Sequence, residues 1–277
     1  MISKGILYML LATSLIAIMQ VMVKLIPNIP VEQIIFFRAL ISIVLTFGII
    51  RYKGLDLKGK NLSLLVGRGF IGTASLLTFF YALHHMPLAT AVTIGYISPV
   101  ILGILAGLFL KDKMSPLRWL SLLGCFAGVY FIKGFDERVS GMEILVALAS
   151  ALFAALAHFS VRLLKEEEPL IILFYFSAVA IPVLFPFVVT NWAGPGYKEW
   201  FLLILIGVIS HFGQLFLTLA LRSEKVSNLL VFYYLGIVIA ITAGYVIFDE
   251  IFNIFTMLGM GLILLSVLLN FSIRKFF

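Results

Sequence analysis

Gln20-Val21-Met22-Val23-Lys24 closes the first apolar run of the chain, and His158-Phe159-Ser160-Val161-Arg162 closes another, 138 residues later. The offset holds in both directions. Ala12 steps onto Ser150, Gly69 onto Gly207, Thr73 onto His211, Tyr81-Ala82-Leu83 onto Leu219-Ala220-Leu221, Tyr96 onto Tyr234 and Asp112 onto Glu250. Met1 to about Gly134 and Gly141 to Phe277 therefore read as two copies of one unit, each with five hydrophobic helices. Five is odd, so the second copy enters a membrane from the side opposite to the first. An inverted repeat of this kind predicts a central site exposed alternately to the two faces of a bilayer, as in secondary transporters.

Composition agrees with a membrane-embedded, all-α chain. Hydrophobic residues make up 62%, charged residues 12%, and the mean hydropathy is +1.16. A soluble domain carries roughly 25% charged residues, so water is excluded as the main solvent. Barrel strands would alternate apolar and polar over about 10 residues, and no such alternation is present. The run Gly5 to Leu25 is too long for a signal peptide and lacks a small-residue cleavage site, so it reads as a helix. Cys125 is the single cysteine, which excludes a disulfide framework and a thiolate metal site. The net charge of +7 lies in short loops, where it reports topology instead of a nucleic-acid surface. The expected partners are a small-molecule substrate and membrane lipid, with no cofactor and no nucleic acid; the protein is a monomer or a homodimer.

The pattern predicts ten transmembrane helices, at 5–26, 33–50, 62–84, 88–110, 117–132, 142–163, 170–189, 199–221, 226–248 and 255–273. Punctuation such as Pro27-Asn28-Ile29-Pro30, Met86-Pro87, Ser115-Pro116 and Glu168-Pro169 separates them. One set of loops and helix ends carries 14 Lys and Arg residues and the opposite set carries 3. The positive-inside bias then places both termini in the cytoplasm, most simply at a bacterial inner membrane. Gly103 with Gly107, Gly124 with Gly128, and the stripe Ala147, Ala151, Ala155 mark seams of close helix packing, internal or between two copies.

From Arg68 onward the chain carries a run of linked signatures. They are Arg68-Gly-Phe-Ile-Gly72, Tyr81-Ala-Leu83, Met86-Pro-Leu-Ala89, Ile97-Ser-Pro-Val100, Leu110-Lys-Asp-Lys113 and Gly124 to Gly128. Together with the doubled five-helix plan they resemble the EamA branch of the drug/metabolite transporter superfamily. The second half departs further, since Ser98-Pro99 is matched by Gly236-Ile237. The resemblance implies a ten-helix fold with both termini inside and a cavity lined mainly by helices 1, 3, 4, 6, 8 and 9. It also implies a small organic cargo: amino acids, cofactor-like metabolites or nucleotide-linked sugars. It fixes the transport class better than the substrate.

Polar side chains at membrane depth are the candidates for binding, because burying them is costly. Gln20 and Lys24 lie four apart on the first helix, and His158 and Arg162 repeat that spacing on the sixth. Lys24 and Arg162 have a second reading, snorkelling to the interface. Arg38, inside the second helix, either binds an anionic group or pairs with Glu32 or backbone carbonyls. Arg68 is expected to be a positive-inside anchor, with a gate residue as the alternative. Thr73, Ser75 and Thr78 read mostly as hydroxyls bonded back to their own helix. His211 and Gln214, three apart at mid-span, are expected to line the cavity together. Tyr96 and Ser98 surround the break that Pro99 imposes, and Tyr233 and Tyr234 are their counterparts on the ninth helix. The candidate substrate-binding set is thus Gln20, Lys24, Arg38, Thr73, Tyr96, Ser98, His158, His211, Gln214, Tyr233 and Tyr234.

No Asp or Glu is placed at mid-membrane, which argues against a cation pump built on a buried carboxylate. The competing class is an integral-membrane enzyme acting on a lipid or isoprenoid. That chemistry calls for clustered carboxylates or a Ser/His/Asp constellation near the interface. The clustered acids here, Glu166 to Glu168, read as a solvated loop.

Overall fold

The computed structural model describes residues 3–109, 116–135, 138–223, 232 and 235–272. Among them there is no strand. The helices are α1 (Lys4–Lys24), α2 (Val31–Tyr52), α3 (Leu62–His85), α4 (Leu88–Gly95), α5 (Ser98–Phe109), α6 (Pro116–Phe135), α7 (Gly141–Leu163), α8 (Pro169–Thr190), α9 (Tyr197–Ser223), α10 (Leu235–Phe248) and α11 (Ile254–Ser272). Six of these, α1, α2, α3, α7, α8 and α9, are long and apolar enough to cross a membrane, and the others are shorter.

Local chemistry explains several boundaries. Ser3 Oγ caps α1 by accepting from Ile6 N, and Asn61 Oδ1 caps α3 by accepting from Leu64 N. Ser140 and Glu143 form a reciprocal capping box at the start of α7. The predicted fourth span is two helices, with α4 ending at Gly95 and α5 starting at Ser98. Pro99 has no N–H to continue the ladder, so the chain tightens through Tyr96 and Ile97 before restarting. By contrast, α8 runs through both Pro182 and Pro186 without a helix boundary. Residues 224–231, 233 and 234, which include Asn228, Tyr233 and Tyr234, lie outside the described residues.

The halves pack by exchange. α1 lies against α9 while α3 lies against α7, and α2 meets α9 while α3 meets α8. Self-paired contacts, α2 with α8 and α6 with α11, add to these. Individual residues obey the same rule. A Cβ added at Gly69 would meet Val179 at 2.7 Å, and one added at Gly207 would meet Ile41 at 2.5 Å. Shifting by 138 turns each of these contacts into the other. The α6–α11 seam is tighter still, because Gly128 and Gly259 press backbone to backbone. Gly124, in the same seam, faces Ser266, so this GxxxG stripe packs within the molecule. The surroundings of Gly103 and Gly107 lie outside the described residues.

Large apolar side chains such as Val44, Phe70, Phe187, Ile204 and Val246 are exposed on the outer surface. That inside-out distribution, together with the six long apolar helices, makes this an integral membrane protein. Phe37, Trp192 and Trp200 cluster where the loop after α8 meets α2, with the Phe37 and Trp200 rings 4.9 Å apart. Gln33 fixes that loop by donating to Ala193 O and accepting from Ala193 N.

Candidate functional site

A cavity of about 130 Å³ lies between the two halves. α1, α3, the α4–α5 break, α7 and α9 supply its walls, with Phe176 of α8 and Gly236 of α10 closing two corners. Its polar lining includes Gln20, Arg68, Tyr96, Ser98, His158 and Gln214. No carboxylate among the described residues lines it. Gln20, His158 and Gln214 have no hydrogen-bond partner among the described residues, so their polar groups are available to a guest. Gln20 and His158, a pair in the 138-residue step, thus face the cavity from opposite halves.

The other sequence candidates among the described residues lie elsewhere, and Tyr233 and Tyr234 fall outside those residues. Thr73 is buried and returns its hydroxyl to Gly69 O at 2.8 Å. His211 is also buried, but it faces α2, where Nδ1 is 3.1 Å from Ser42 Oγ. Three helical residues leave the two side chains about 60° apart around the axis, and that offset is enough to send Gln214 to the cavity and His211 to the α2 seam. Arg38 is buried beside the cavity, and the Glu32 pairing weighed for it does not form. Glu32 Oε1 instead accepts from Asn191 Nδ2 at 3.0 Å.

Lys24 belongs to a closure at one end of the bundle. Its Nζ sits 2.7 Å from Glu250 Oε1 and also donates to Met86 O at 2.7 Å. The same carboxylate oxygen accepts from Leu88 N at 2.8 Å. α4 begins after Pro87 with no side-chain cap of its own. Glu250 therefore acts as counter-ion to Lys24 and as a cap for α4, and it reaches both from the other half.

Arg68 corrects the sequence expectation. It is not a surface anchor: it is 4% exposed and lines the cavity. Its guanidinium carbon lies 4.4 Å from the centre of the Phe176 ring, and that of Arg38 lies 5.4 Å from the same ring. A cation over a desolvated ring gains about 2 kcal/mol. Removing a charge from water costs several kcal/mol, so the ring alone does not balance either cation. A signal for the depth of Arg68 was present in the sequence. Gly72 is one turn on, and its missing side chain leaves room for Phe176 and the guanidinium, which an added Cβ would meet at 2.8 and 3.3 Å.

The sequence profile of the EamA-like transporter family matches residues 3–134 and again 141–272. The chain belongs to the EamA-like transporter family. Among its relatives, the pseudopaline exporter CntI of Pseudomonas aeruginosa is 32% identical over 270 residues, covering 96% of this chain and 95% of that one. A riboflavin transporter of Brucella anthropi is 28% identical over 233 residues, covering 80% and 81%. Solute carrier family 35 member G1 of Homo sapiens is 27% identical over 294 residues, covering 99% and 80%. A solved structure with 16% identity superposes with a TM-score of 0.70 over 99% of both chains, which establishes likeness of fold. Within this EamA-like chain the profile matches once per half, and the cavity draws residues from both matches. The family and these relatives are transporters, and the protein is a membrane transporter, not an enzyme.

Proposed function

We propose that the protein is a secondary transporter that carries a small polar organic metabolite by alternating access, with the cavity between the halves as its binding site. The observation that carries this reading is the set of uncommitted polar groups, Gln20, His158 and Gln214, gathered from both halves around one cavity. In this reading the two halves are inverted repeats with boundaries at 1–134 and 141–277, and both termini are cytoplasmic, a placement that the 14-to-3 distribution of Lys and Arg supports. The membrane is a bacterial inner membrane. The break at Tyr96 and Ile97 interrupts the regular helix beside the cavity, the kind of discontinuity that transporters use at membrane depth. The relatives' named cargoes, pseudopaline, riboflavin and S-adenosylmethionine, support a mid-sized polar metabolite as the substrate class.

The test is uptake into liposomes holding the purified protein. The panel is radiolabelled riboflavin, S-adenosylmethionine, glutamate and citrate. Accumulation above protein-free liposomes is expected for at least one of them. Gln214→Ala should slow that uptake roughly tenfold, the equivalent of about one hydrogen bond to the cargo. His211→Ala, directed at the α2 seam, should act through thermal stability instead. Background accumulation of every compound by monodisperse protein would sink the reading.

A further inference from the structure

The geometry points to an anionic substrate: a carboxylate or phosphate group held by the guanidinium of Arg68 against the Phe176 ring, with Arg38 as a second cation behind it. This inference deepens the transport reading and rests on the cavity being the transport site.

Arginines with a purely structural role look different in this protein. Arg222 donates to the carbonyls of Glu167 and Lys165, which ties the end of α9 to the α7–α8 loop. Lys24 is equally well satisfied, by a carboxylate and a carbonyl. Arg68 has neither. Its Nε and Nη1 are buried without a hydrogen-bond partner, and so is Nε of Arg38. No carboxylate among the described residues reaches either guanidinium. One aromatic ring brings the two cations together, and like charges in an apolar interior repel.

A chain does not gather two such groups beside a cavity without a compensating charge. A guanidinium offers its N–H groups as a planar fork, which matches the two oxygens of a carboxylate or phosphate. The rest of the lining sets the remainder of the molecule. Gln20, Gln214 and His158 offer neutral donors and acceptors, and no Asp or Glu among the described residues lines the cavity to hold an ammonium. The substrate is therefore an organic acid or phosphate with a neutral hydrogen-bonding portion, not an organic cation.

The experiment measures melting temperature in uncharged detergent at matched ionic strength. Glutarate, inorganic phosphate and the neutral diamide glutaramide are added in turn. Either anion should raise the melting temperature of the wild type by several degrees, and glutaramide should not. Arg68→Gln should abolish the shift, while Arg68→Lys should retain part of it. Without ligand, Arg68→Gln should melt at or above the wild-type temperature, because it removes an uncompensated charge; a structural arginine would give a lower value. A shift by glutaramide equal to that by glutarate, a shift that survives in Arg68→Gln, or no shift with either anion would overturn the inference. A parallel arm compares phosphatidylcholine nanodiscs with and without phosphatidylglycerol. Stabilisation by phosphatidylglycerol alone would assign the anion to a lipid headgroup and overturn a soluble substrate. Uptake separates this inference from the transport reading. A neutral solute carried equally by wild type and Arg68→Gln overturns only the anion, whereas an intact anion shift with no uptake of any solute overturns only transport.

Discussion

Glu250→Ala is expected to lower stability by about 3 kcal/mol, the lower end of the range for removing one partner of a buried ion pair. The lower end applies because Lys24 keeps 16% of its side chain exposed, against 7% for Glu250. Two donors lose their acceptor at once, Lys24 Nζ and Leu88 N. Glu250→Gln keeps an oxygen for Leu88 but loses the charge, so it should fall between wild type and Ala. A Lys24→Met/Glu250→Gln double mutant should regain much of the loss, because neither charge is then left alone. Thermal unfolding followed by tryptophan fluorescence gives these values. The pair also joins the two halves at one end of the molecule, so loosening it should favour states open at that end. About 3 kcal/mol corresponds to a shift of roughly 100-fold in a two-state equilibrium. Maleimide labelling of a cysteine placed at Gln20 should accelerate accordingly in Glu250→Ala. An unchanged labelling rate would show that the pair contributes stability without controlling access.

Gly128→Ala and Gly259→Ala should each destabilise the protein by about 1–3 kcal/mol, the usual cost of overpacking, and larger side chains should prevent folding. A Cβ at Gly128 would stand 2.6 Å from Gly259 O and 3.2 Å from Ile263 N. The reverse holds at Gly259, with Gly128 O at 2.6 Å and Ile132 N at 3.1 Å. Backbone atoms cannot rotate away, so α6 and α11 must separate along their length. In lipid no hydrophobic exclusion compensates for that loss of contact. Gly261, two residues from Gly259, has nothing within 4 Å of an added Cβ, and Gly261→Ala should change stability by no more than about 0.5 kcal/mol. Equal melting temperatures for the three alanine variants would contradict the seam.

The helical plan was legible because lipid imposes long apolar runs, and short polar breaks separate them. Pro99 likewise announced the break between α4 and α5, since a missing N–H acts locally. The faces of helices were less legible. His211 and Gln214 share a depth and a neighbourhood in sequence, yet one meets α2 and the other the cavity. Arg68 stands six residues into α3, where a long side chain could turn either way, and only the packing of Phe176 decides it. Lys24 and Glu250 are 226 positions apart, so no local pattern joins them. The repeat hints at the pair all the same. Shifted by 138, Lys24 becomes Arg162 and Glu250 corresponds to Asp112, which is outside the described residues.

Arg38 and Arg68, held against one ring, also sit in the electric field of the membrane. Arg68 lies roughly 9 Å along α3 from its first residue, deep enough to feel part of the voltage drop. A full elementary charge crossing 100 mV changes energy by about 2.3 kcal/mol, so even a tenth of that path is felt at about 0.2 kcal/mol. An anion bound at Arg68 cancels some of this charge. In the proposed alternating-access cycle with an anionic cargo, voltage would then pull harder on the empty carrier than on the loaded one, and the step that returns the empty site would be the electrically sensitive half of the cycle.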